Sequence, residues 1–200
     1  MARSIASSRK VTYEWVSDVA RHVGTVVHEY LRHFAEDGVA SWTMARIESQ
    51  QRVVESELRR LGTPLNELDQ AAARVMRALE NVIQSERALW ILSPAPESRS
   101  EWAISGVVDG KLYDTTVDRT LVDAQGRRWI IDFKTSEHTG GSLDAFLDEQ
   151  KRRYADQLTK YAELLRMRED RPIMLGLYFP LLDAWREWSF AERAVSVPAN

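Results

Sequence analysis

The segment VDRTLVDAQGRRWIIDFKT, residues 117–135, constrains this chain more than any other. Two apolar-rich runs flank DAQGR at 123–127. That spacing fits a three-residue hairpin loop, Ala124-Gln125-Gly126, with Gly126 in the left-handed position of a type I turn with a bulge. With the loop centred on Gln125, Asp118 lies seven residues before it and Asp132 seven after. The two are then directly opposed, and opposed residues share a face with Cβ atoms about 4.5–5.5 Å apart. Alternation puts Val117, Leu121, Trp129, Ile131 and Phe133 on one face, and Asp118, Asp132 and Lys134 on the other. Opposed carboxylates repel, and burying an unpaired charge is costly. A cation relieves both problems, and oxygen donors of this kind suit magnesium or manganese. Asp132 and Lys134 alone also read as a solvated ion pair; Asp118 in register favours the metal.

The rest of the chain supplies the frame for such a hairpin. Apolar residues from Val16 to Phe34 follow helical spacing, and Asp37-Gly38 ends that helix. A second helix is expected over 41–61, before the break at GTP, 62–64, and a third over 65–92, before SPAP. The pattern turns strand-like over 101–135, with a further turn at Asp109-Gly110. A helix over 142–168 and two strands within 173–190 complete the order. The expectation is an α/β fold: a mixed β-sheet core flanked by helices, behind a helical N-terminal region. Residues 1–12 read as a flexible arm or linker remnant. Residues 13–195 read as one domain, mostly helical over 13–92 and α/β over 100–190.

Composition narrows the class of function. With 44% hydrophobic residues in 200, the chain can bury a domain-sized core. It has no cysteine, which excludes disulfides, thiolate zinc sites and cysteine-held iron–sulfur clusters. A cytoplasmic location is expected, since no apolar run approaches the roughly 20 residues of a membrane span. The net charge of −3 argues mildly against a free-standing nucleic-acid binder, though not against a local basic patch. No Walker-type GxxxxGK[ST] is present.

The ordered motifs ARHVGTVVHEYL, TTVDRTLVD, RRWIIDFKTS, YADQLTKYAELL and LGLYFPLLDAWREW span residues 20–188. Together they resemble the PD-(D/E)XK superfamily of nucleases, RecB-like branch. That domain usually ends UvrD-like helicases of the exodeoxyribonuclease V beta or AddA type. The resemblance implies a restriction-endonuclease-like fold and a magnesium-dependent deoxyribonuclease, with manganese able to substitute. It implies metal binding by His28, Asp118, Asp132 and the backbone carbonyl of Phe133. Lys134 would assist the attacking water, and Gln157 and Tyr161, spaced i, i+4 on one helix face, would support the site. Glu101 is a further candidate acid. Lys151, Arg152 and Arg153 are candidate DNA contacts, and SEHTGG at 136–141 a loop able to touch DNA. His22 and His33 match nothing in the pattern and read as surface residues. The expected partners are DNA and a helicase motor absent from this chain, in exo- or endonucleolytic repair and recombination. The competing expectation is a catalytically silent nuclease-like domain that binds DNA ends or docks onto helicases.

Overall fold

The structure is a computed structural model describing residues 4–108, 110–138 and 140–191, with side chains from Asp18 onward. Among these residues the helices are α1 (Ser4–Asp37), α2 (Met44–Ser49), α3 (Gln51–Arg60), α4 (Leu65–Gln84), α5 (Glu86–Leu92) and α6 (Leu143–Arg166). The strands are β1 (Arg99–Val108), β2 (Lys111–Val122), β3 (Arg128–Phe133), β4 (Ile173–Phe179) and β5 (Ala184–Ser189). Residues 1–3 of the expected arm and Asp109 of the first turn lie outside the described residues, and α1 begins inside the arm. The chain divides into two compact units that interleave in sequence. The first holds Met1–Pro94, Phe133–Gly140 and Tyr178–Trp185, and the second Ala95–Asp132, Gly141–Leu177 and Arg186–Asn200.

The first unit is a helical assembly built on α1. Val23, Val27, Leu31 and Phe34 recur at helical spacing and are fully buried. They meet a buried stripe of Ala72, Val75, Leu79 and Val82 on α4, with Ile47, Val54 and Leu58 from α2 and α3. Two expected helices are each interrupted once. The second starts only at Met44, where the Thr43 hydroxyl caps it by accepting from the Arg46 amide, and it breaks at Gln50. The third breaks at Ser85, whose extended backbone and hydroxyl, accepting from the Ala88 amide, start a new helix. A serine competes with the backbone for hydrogen bonds and so favours caps over helix interiors. His22 corrects the sequence reading. It is buried, 7% exposed, with Nδ1 3.0 Å from the Thr63 hydroxyl.

The five strands form one sheet in the order β1-β2-β3-β4-β5. β1 and β2 pair antiparallel, as do β2 and β3. The Arg128 amide donates to the Pro172 carbonyl, and six residues later in both strands the Lys134 amide donates to the Tyr178 carbonyl. That equal advance makes β3 and β4 parallel, with α6 in the connection between them. The Phe190 amide returns to the Ile173 carbonyl, so β5 runs antiparallel to β4. The sheet is thus mixed and flanked by helices, as expected from the element order. Every residue of β3 is buried, on both faces. Burial is two-sided: Thr120 and Ile130, on the acidic face, are fully buried, and Arg119 is buried on the apolar one.

The β2–β3 loop is the one read from the sequence, closed by Asp123. Its amide donates to the Arg127 carbonyl, and its carbonyl accepts from Gly126, whose φ is 74°. Its carboxylate accepts from the amides of Gln125 and Arg127, from Arg127 Nε at 2.7 Å and from Trp129 Nε1 at 2.7 Å. Burial pushes this carboxyl up, but the donors outweigh it and hold it below its ordinary value of 3.8. A depressed carboxyl stabilises the fold above that value and loses its contribution as pH falls through the folded value. Asp123→Asn is therefore expected to cost about 1–3 kcal/mol at neutral pH. The difference from wild type should shrink below pH 3.8, as urea denaturation at a series of pH values would show.

Within the first unit, α1 comes close to the segment after β3. A Cβ built on Gly24 would lie 3.0 Å from the Thr135 hydroxyl. Gly24→Ala gains roughly 1 kcal/mol of helix propensity, which offsets that tight contact. Gly24→Val adds a branched side chain to the same gap and is expected to destabilise by about 1–3 kcal/mol. Thermal melts should place Ala near wild type and Val several degrees lower.

Candidate active site

In the second unit, the β2–β3 register matches the loop geometry. Arg119 pairs with Ile131, Thr120 with Ile130, Leu121 with Trp129 and Val122 with Arg128. Extending the ladder by one residue sets Asp118 opposite Asp132. On its other side, the β1–β2 ladder runs through Ser100–Arg119 and Trp102–Val117, which sets Glu101 opposite Asp118. Three acids thus form one row across β1, β2 and β3. Carboxylate oxygens of Glu101 and Asp118 lie within 4.8 Å of each other.

Glu101 is the member of the row whose backbone the sequence concealed. Its φ is +46°, a left-handed conformation inside a strand. A non-glycine residue there carries a cost of about 1–3 kcal/mol, and such strain concentrates at functional positions. The residue itself is a candidate acid in the sequence, but nothing in the residues around it announces the left-handed conformation.

Asp132 is 4% exposed, at the end of a strand covered on both faces. Gln157 on α6 reaches it: Nε2 donates to Asp132 Oδ1 at 3.2 Å and to the Tyr161 hydroxyl at 2.7 Å. Both hydrogens of the amide are thereby used, which fixes its orientation and that of the carboxylate. Gln157 and Tyr161 sit one turn apart on α6, so the helix itself sets their spacing.

In the first unit, His28 on α1 places Nε2 3.1 Å from the Phe133 carbonyl. A carbonyl only accepts, so Nε2 carries the proton in this contact. The Phe133 ring stands edge-on to His28 at 5.8 Å and to Tyr178 at 6.3 Å. Two expected metal ligands, His28 and the Phe133 carbonyl, are hydrogen-bonded to each other. Lys134 follows as a half-buried residue whose amide continues the ladder to β4.

The three basic residues of α6 are not gathered at one point. Lys151 lies 5.3 Å over the Trp188 ring, Arg152 pairs with Glu149 at 2.6 Å, and Arg153 lies 5.5 Å over Tyr154. Consecutive helical residues diverge by about 100°, so one phosphate cannot face all three. In the loop after β3, Glu137 pairs with Arg74 and Arg77 of α4 at 3.2 and 2.8 Å; Thr139 lies outside the described residues.

Arg119 is a buried cation that the sequence reading passed over. It is 3% exposed, Nη1 donates to the Ser100 hydroxyl, and burial pushes its guanidinium down to about 10. It lies on the face opposite Asp118, as its neighbour in the chain must. A DR dipeptide in a strand is its only sequence signal.

The donor set fits a hard divalent cation. Glu101 and Asp118 bring carboxylate oxygens within 4.8 Å of each other, the donors that Mg2+ and Mn2+ prefer. Among the described residues no helix is long and apolar enough to cross a membrane. No curated protein matches the sequence. One solved structure, described as "Crystal structure of SSO0001", aligns at 16% identity over 84% of this chain and 79% of its own, with a TM-score of 0.31. The family model for the PD-(D/E)XK nuclease superfamily matches residues 6–187, nearly the whole sequence. On that match this chain is a member of the PD-(D/E)XK nuclease superfamily.

Proposed function

We propose that the chain is a magnesium-dependent deoxyribonuclease of the RecB-like branch, serving as the nuclease module of a helicase-linked DNA repair or recombination machine. The superfamily's shared chemistry is phosphodiester hydrolysis, typically with divalent metals. The observation that carries the reading is the row Glu101–Asp118–Asp132, with Asp132 oriented by Gln157.

In this reading Asp118 and Asp132 hold the cation, with His28 and the Phe133 carbonyl as further ligands. When bound, such an ion would neutralise charge on the scissile phosphate and lower the pKa of water beside it. The side chains have separate tasks. Asp132 is held in one orientation by the Gln157 amide, so little reorganisation is needed when phosphate arrives. Lys134 orients the attacking water and offsets charge developing on the phosphate oxygens. As oxygen attacks phosphorus, one ester P–O bond breaks and the leaving sugar oxygen takes up a proton. Chain continuity supports the grouping. Asp132 and Phe133 are consecutive, with Cα atoms about 3.8 Å apart, and His28 is hydrogen-bonded to the second of them.

Plasmid nicking and degradation of single strands in Mg2+ test the proposal. Asp132→Asn and Lys134→Ala should each lower the rate at least about 100-fold. EDTA should abolish cleavage and Mn2+ restore it. If either variant keeps wild-type activity, the assignment is wrong. If wild type binds DNA but never cleaves it, the domain is a silent relative.

A further inference from the structure

The second unit contains a cleft of about 310 Å³ lined by Tyr113, Asp114 and Thr115 of β2 and by Gln157, Lys160 and Tyr161 of α6. Lys160 Nζ lies 5.1 Å over the Tyr113 ring, so a cation and an aromatic face are presented together. Tyr113 is paired with Gly106 on β1, where an added Cβ would lie 2.9 Å from Leu164 Cδ2. The glycine thus lets α6 approach the sheet beside the cleft.

Two residues join this cleft to the candidate site. Tyr161 and Gln157 both line it, and Gln157 bridges Tyr161 to Asp132. A group seated against Tyr161 is therefore two hydrogen bonds from the Asp132 carboxylate. We propose that this cleft is a subsite for one unstacked nucleobase of a single strand, with its phosphate at Lys160. The inference rests on the nuclease reading above and names the form of substrate that the site accepts. Aromatic faces and a nearby cation are what single-strand binders use, because every base offers a π-face. Asp114, on the same rim, repels phosphate and leaves Lys160 as the favourable end for the backbone. Bases of an intact duplex are stacked inside the helix and cannot enter a recess of this size.

The test measures fluorescence anisotropy of a labelled short oligothymidylate on the full chain, with EDTA to prevent cleavage. Tyr113→Ala and Lys160→Ala should each weaken binding about tenfold, while Tyr113→Phe stays within about twofold of wild type. Lys160→Ala should also flatten the salt dependence by about 0.7 in log–log slope, a change that a merely structural role would not produce. Circular dichroism confirms that the variants fold. Wild-type binding in both alanine variants overturns the proposal, as does equal loss in Tyr113→Phe, or failure of wild type to bind the strand. Hydrolysis of bis(p-nitrophenyl) phosphate in Mn2+ separates this from the nuclease reading. A wild type that cleaves that small diester while the alanine variants bind DNA normally loses the subsite and keeps the nuclease. A wild type that binds through the cleft but cleaves neither substrate keeps the subsite and loses the nuclease.

Discussion

Asp123 sets the alignment on which the rest of the candidate site depends. Its backbone closes a three-residue loop, and its carboxylate gathers the Arg127 guanidinium, the Trp129 indole and two amides. A side-chain period of two leaves no partial error in a sheet: a slip of one residue would turn every side chain of β3 to the other face. With the loop closed as it is, Asp132 falls on the face of Asp118 rather than on that of Trp129, Ile131 and Phe133. The second hairpin, β1–β2, then adds Glu101 to the same row.

The cost of that row is met by its surroundings. β3 is covered on both faces, so Asp132 enters a region where charge is poorly solvated. Gln157 provides a donor from α6, and Tyr161 holds the amide in place. Opposed carboxylates destabilise an antiparallel pair, and a left-handed glutamate destabilises a strand. Both are costs that the proposed divalent cation would offset.

Much of this was legible from the chain. Loop length and the glycine at 126 determine the hairpin register, and the structure reproduces it pair by pair. The strand and helix periods predicted most element boundaries, and the i, i+4 spacing put Gln157 and Tyr161 on one helix face. Other features were not legible. The breaks at Gln50 and Ser85 depend on local capping that a long apolar period masks. His22 reads as a surface residue, since the Thr63 that it meets is 41 positions away. Arg119 has no sequence signal beyond its place after Asp118, and it is buried on the other face.

The sequence by itself carried the family's motifs and, because turn geometry and alternation are local rules, the β2–β3 register and the position of Lys134 two residues after Asp132. Only the tertiary structure decided that β3 is covered on both sides, that Glu101 joins the acids in a left-handed conformation, and that Gln157 reaches Asp132 Oδ1. It also placed Tyr113 and Lys160 in one cleft. These are contacts between segments up to 47 residues apart, as Tyr113 and Lys160 are. No local pattern encodes them; the Gln157 contact and the cleft arise from how α6 lies against the strands.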